Sequence, residues 1–180
     1  MGGVNGAEAL KALYALQEKD LEIDRLRAEA ESLPEELVAL QGQVETLEER
    51  LTNLLERRAE LEREYNRHSL DIEDLSAKEK QAEEEQKRAQ SAREQTQYEN
   101  RIQQIKDRIR ELLELSTPIM EAMENLEAEI AQVEEELAAL RPRLQELLEA
   151  NRARVAELEA AIAAKVEERT AMAAAIPAQI

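Results

Sequence analysis

An all-α fold, a long antiparallel two-helix coiled-coil hairpin with proline kinks, follows from three observations on this 180-residue chain. Charged residues make up 36% of it, while Gly and Pro number only four each. Such a composition, rich in Glu, Ala, Leu, Arg and Gln, belongs to long helices and coiled coils. Two long series of apolar residues repeat in heptads, and one polar stretch separates them.

The first series takes Leu37 as an a position and runs Leu40, Val44, Leu47, Leu51, Leu54, Arg58, Leu61, Tyr65, His68, Ile72 and Leu75. Only Arg58 and His68 break the apolar rule. Read backwards, the register catches Leu33, Ala30, Leu26, Ile23, Leu16 and Ala12, with Lys19 as an exception. Residues 76–97 then contain no large aliphatic residue, although they remain helix-tolerant. The second series runs Ile102, Ile105, Ile109, Leu112, Ser116, Ile119, Met123, Leu126, Ile130, Val133, Leu137, Leu140, Leu144 and Leu147, and Ser116 alone departs from it. Beyond it Asn151 and Arg154 take seam positions, while Val155, Leu158, Ile162 and Val166 form a displaced stripe, as in a stutter.

Two seams of similar length around a polar gap predict a chain that folds back on itself. Arm one covers about residues 7–88, the tip about 86–96 and arm two about 95–175, in a single domain. Each arm of about 80 residues would be on the order of 120 Å long. In an antiparallel pair a faces d, so the numbers of facing residues share a constant sum. A sum near 184 is favoured because it joins the polar seam residues His68 and Ser116 in one layer; it also brings Arg50 near Glu136 and Arg57 near Glu129. A sum near 177 would instead face His68 with Ile109.

Three prolines fall within the pattern. Pro34 lies in Ser32-Leu33-Pro34-Glu35, where Ser32 and Glu35 fit an S-x-x-E capping box. Thr117-Pro118 resembles a cap followed by Pro at the first helical position. Pro142 sits in an otherwise helical run. Because the heptads continue through Pro118 and Pro142, all three are expected to be kinks in continuing arms, with Pro34 and Pro142 at similar heights.

Composition also excludes. With no Cys, the chain has neither disulfides nor thiolate chemistry nor Cys-ligated metal. No apolar run approaches the roughly 18 residues that would span a bilayer, and the start shows no signal-peptide pattern. Met1-Gly2-Gly3 invites a myristoylation reading, but Gly6 stands where that motif requires Ser or Thr. A cytoplasmic protein without membrane contact is expected. A net charge of −17 disfavours generic nucleic-acid binding. No nucleophile triad, phosphate-cradling Gly loop or paired-carboxylate cleft is present, so no catalytic residue is assigned and no enzyme is expected. His68 is read as a tolerated polar seam residue, Arg58 as a packed stem with its guanidinium in solvent, and Glu83, Glu84 and Glu85 as a solvated face.

Two surfaces remain as candidates for binding. Residues 86–110 carry Lys87, Arg88, Arg93, Arg101, Lys106, Arg108 and Arg110 against Glu94, Glu99 and Asp107, a local excess of +4. Such a tip suits phosphate or an acidic protein surface, with Tyr98 beside the cations. At the other end Leu10, Leu13, Tyr14 and Leu21 form a second apolar stripe, opposite the displaced Val155, Ile162, Val166 and Met172. Apolar residues on two faces call for a covering element.

Leu13-x-x-Leu16-Gln17-x-x-Asp20-x-x-Ile23-x-x-Leu26 followed by Leu33-Pro34-x-Glu36-Leu37 resembles the bacterial zinc-ribbon proteins with an N-terminal coiled-coil hairpin. Their K-x-N-x-E-Y tip pattern is met loosely by Arg93, Gln95, Gln97 and Tyr98, with Tyr98 identical. Residues 169–180, with Ile176-Pro177, resemble the junction before the four-cysteine ribbon. The resemblance implies a regulatory or adaptor protein that binds nucleic acid or a protein. The family's ribbon would bind zinc; it is absent from this chain, which is expected to hold no cofactor. The alternatives are a structural coiled coil that homodimerises and an RNA-polymerase-associated hairpin factor of the Gre type, whose acidic tip contrasts with this basic one. A monomeric hairpin, or a weak homodimer, is expected.

Overall fold

The computed structural model describes residues 6–176. Met1-Gly2-Gly3 and the junction from Pro177 to Ile180 lie outside the described residues. The chain is all-α: α1 (Gly6–Glu31), α2 (Glu35–Lys87) and α3 (Ala92–Ala174) build an antiparallel coiled-coil hairpin, with no strand among the described residues. Every α2 and α3 position of the two heptad series is buried or half-buried.

Pro34 does more than kink the arm. Residues 32–34 form a break, since Pro lacks an amide hydrogen and forces Leu33 out of the α region. The Ser32 N–H closes α1 on the Ala28 carbonyl at 3.1 Å, and the Val38 N–H opens α2 on the Pro34 carbonyl at 3.1 Å. Leu33, expected in the seam, is therefore 51% exposed. Pro118 and Pro142 behave differently, because α3 runs through both. Thr117 is not a cap: its hydroxyl donates one turn back to the Leu113 carbonyl at 3.2 Å, as Ser116 does to the Leu112 carbonyl at 2.8 Å. This back-bonding is the usual resort of Ser and Thr inside helices.

The chain divides into two compact units. One is Met1–Glu45 with Ala139–Ile180, and its buried apolar side chains among the described residues are Ala9, Ile23, Leu37 and Val44. In it Glu36 accepts from Arg143 at 2.7 Å. The other unit, Thr46–Ala138, buries a longer seam that includes Leu61, Ile102, Ile105, Leu112, Ile119, Val133 and Leu137.

Inter-helix pairs fix the register of the second unit. Arg58 Nη2 lies 3.0 Å from Glu127 Oε1, and Lys106 Nζ lies 3.8 Å from Glu79 Oε1. Partner numbers add to 185 in both, next to the sum of 184 and far from 177. Two details differ from the sequence reading. Arg57 pairs with Glu60 on its own helix at 3.3 Å. Arg58 reaches across to Glu127 and does not simply point to water, because at this register it is Arg58 that borders the seam.

Candidate binding tip and base

The turn at the tip occupies residues 88–91 and contains neither Gly nor Pro. Arg88 and Ala89 close α2 with bonds from their N–H groups to the Glu85 and Gln86 carbonyls at 3.0 and 3.1 Å. Ser91 then caps α3: its hydroxyl oxygen accepts from the Glu94 N–H at 3.1 Å, while the Glu94 carboxylate accepts from the Gln90 N–H at 3.2 Å. This is a variant of the S-x-x-E capping box, in which Glu94 reaches past the Ser91 cap to the N–H of the preceding residue. Ser91-Ala92-Arg93-Glu94 spelled it out in the sequence, which reserved the motif for Ser32 and Glu35 instead. Gln86 Nε2 completes the turn by donating to the Gln95 carbonyl at 3.4 Å. Ala82 is 2% exposed, so the seam continues through the polar stretch on a small side chain.

The predicted tip cations fall into two groups. Lys87, Arg88, Arg93 and Arg101 are exposed, and none of them takes part in an ion pair among the described residues. Lys106 is engaged with Glu79 across the hairpin, and Arg108 with Glu111 at 2.9 Å on its own helix. Tyr98 is half-buried, one heptad step before Ile102, and belongs to the seam side. Of the nearby acids, Glu94 is committed to capping. The tip thus offers four exposed cations.

At the base, Leu10, Tyr14 and Leu21 are 66%, 64% and 51% exposed, and Leu13 accompanies them on one face of α1. Tyr14, Gln17, Glu18, Leu21, Glu22 and Arg25 line a shallow hollow of about 400 Å³ there. Val155, Ile162, Val166 and Met172 are not exposed with them; all four are half-buried. They alternate with Lys165, Glu168 and Arg169, whose partners are on α1, so the displaced stripe is the α3 side of the α1 seam. Lys19 Nζ meets Glu168 Oε2 at 2.7 Å and Glu22 Oε2 at 3.5 Å; Lys165 Nζ meets Glu22 Oε2 at 3.3 Å; Arg169 Nε meets Asp20 Oδ1 at 2.8 Å. The ammonium of Lys165 beside Glu22, and that of Lys19 beside Glu168, hold both carboxyls below the usual glutamate range. The Glu168 hydrogen bond raises Lys19.

The sequence reading missed the role of Arg154. Its Nη1 donates to the Glu29 carbonyl at 2.9 Å and its Nη2 to the Ser32 carbonyl at 2.6 Å, while Nε and Nη2 hold Asn151 Oδ1 at 3.3 and 2.9 Å. These carbonyls belong to the end of α1, where a helix leaves acceptors unpaired and favours positive charge. The two polar residues of the apparent stutter are thus the cap of a helix on the opposite arm.

Among the described residues no three His, Asp or Glu side chains converge as a metal site would require, and none of the helices is long and apolar enough to cross a membrane. Hollows such as the one over Arg57, Glu60, Arg63, Glu64 and Arg67 lie on the outer face of a single helix.

The CT398-like coiled coil hairpin domain matches residues 16–180. A solved structure from Mycobacterium smegmatis is 25% identical with a TM-score of 0.75, covering 95% of this chain and 72% of that one. The HP0958 protein of Helicobacter pylori has the same fold at 16% identity and a TM-score of 0.69, covering 97% of this chain and 73% of its own. No curated protein matches the chain.

Proposed function

Because the chain belongs to the CT398-like coiled coil hairpin domain family, we propose that it is a non-enzymatic, regulatory adaptor arm, cytoplasmic, whose tip docks on an anionic surface of nucleic acid or protein. The observation that carries this reading is the set Lys87, Arg88, Arg93 and Arg101: exposed, unpaired among the described residues, and gathered about one turn of a chain whose net charge is −17. Long cationic side chains without internal partners lose little intramolecular bonding when they meet phosphate. The apolar outer face of α1 is the second surface of the same arm, suited to a protein contact.

The chain has no Cys and one His, and among the described residues its carboxylates do not converge, so its donor set does not fit the four-cysteine zinc site of the ribbon proteins.

A gel shift with labelled single-stranded RNA at low salt tests the tip. Replacing Arg88, Arg93 and Arg101 by Glu should abolish the shift. With four phosphates neutralised on a single strand, affinity should fall about sevenfold for each doubling of salt. If the unmodified chain gives no shift, the nucleic-acid branch fails. A pull-down with and without residues 86–110 then separates tip-mediated from base-mediated protein binding.

A further inference from the structure

The unit that holds α1 is built unlike the rest of the hairpin. Residues 139–174 of α3 include no buried side chain, and α1 buries only Ala9 and Ile23. Its seam is otherwise Ala12, Leu16, Lys19, Leu26 and Ala30, all half-buried. Alanines in place of leucines remove most of the apolar area that holds two helices together. Polar clasps do the remaining work: the half-exposed ion pairs of Lys19, Asp20 and Glu22 with Lys165, Glu168 and Arg169, which are weak and salt-sensitive individually, and the Arg154 fork on the Glu29 and Ser32 carbonyls. The covalent continuation of α1 is a proline break at residues 32–34, so α1 gains no helical rigidity from α2.

We propose that Arg154 is a latch: its guanidinium seats the C-terminal end of α1 on α3, and α1 opens as a unit about residues 32–34 when the latch is lost. The geometry suits this role. The planar fork grips two carbonyls on either side of the last α1 residue, Glu31, and Asn151 Oδ1 holds the guanidinium in that orientation. Bonds from a charged donor to backbone acceptors are the stronger kind. The grip falls at the hinge itself, where a small change in contact alters the freedom of a whole helix. Opening would uncover Leu158, Ile162 and Val166 on α3 and Leu16 and Ile23 on α1, a strip with the spacing that an amphipathic helix can occupy. The latch is independent of the tip and stands or falls without it.

Amide hydrogen exchange on the full chain tests this. In the parent protein, α1 amides should exchange faster than those of residues 102–137, and 0.5 M NaCl should widen the gap. Arg154→Ala should speed exchange across α1 by about tenfold while leaving residues 102–137 unchanged, as local opening requires. Arg154→Lys, which keeps the charge but loses the fork, should behave nearly like Ala. Unaltered α1 exchange in the Ala variant would overturn the latch. Equal acceleration in both segments would overturn it too, since Arg154 would then support only global stability.

Discussion

Gly42 stands exposed inside α2, and a methyl group at its Cα would meet only open space. Glycine there costs helix stability through the conformational freedom of its unfolded state. Gly42→Ala should therefore add about 0.5–1 kcal/mol, read as a higher urea midpoint at unchanged slope. Leu137 and Leu112 lie at the other extreme, 0% and 1% exposed. Truncating either to Ala should cost about 2–3 kcal/mol, the low end for buried leucines, since a two-helix seam lets water reach a cavity. Between these extremes lie residues whose type alone does not reveal their neighbours. Arg58 is the clearest case: a heptad count marks it as an exception, but only the register tells that Glu127 awaits it at 3.0 Å.

At the scale of elements, the tip turn depends on its cap. Ser91→Ala removes the acceptor of the Glu94 N–H and should cost about 1 kcal/mol, measured by urea unfolding. The α1–α3 contact carries its own pH dependence. Glu22 and Glu168 titrate below the ordinary glutamate value, about 4.3, so their contribution is complete above that value and lost as pH falls through the lowered ones. Lys19 titrates above the ordinary lysine value, so its contribution holds below that value and fades as pH rises through the raised one. The protection of α1 amides, measured against their intrinsic exchange rate at each pH, should thus be highest and flat between these limits and fall on acidification below the ordinary glutamate value. How much of this was legible varies by element. The two long seams declared themselves through Leu, Ile and Val at heptad spacing, because that pattern is local. Ala82 was not legible, since alanine is common on both seams and surfaces. Arg154 and Asn151 looked like a fault in the repeat because their partners are carbonyls more than a hundred residues away, at a break that only Pro34 hints at.

For the whole molecule the decisive question is pairing: the same heptads could join two copies of the chain, or one chain to itself in either of two registers. The pairs Arg58–Glu127 and Lys106–Glu79 belong to a single chain and set partner sums of 185. Near that register His68, half-buried, and Ser116, 7% exposed, share a level of the seam. Cysteines introduced at 68 and 116 should then meet the geometric demands of a disulfide, with Cα atoms within about 7 Å. A pair at 68 and 109 is a full heptad out of place and should not. Mild oxidation of the first variant should give an intramolecular crosslink, a faster-migrating band at the mass of the 20.5 kDa monomer, at a rate independent of concentration. Crosslinking at 68 and 109 in preference would move the register by one heptad. A product of twice the monomer mass would show instead that the seam joins two chains, for the nearest thiol partner would then be on another copy.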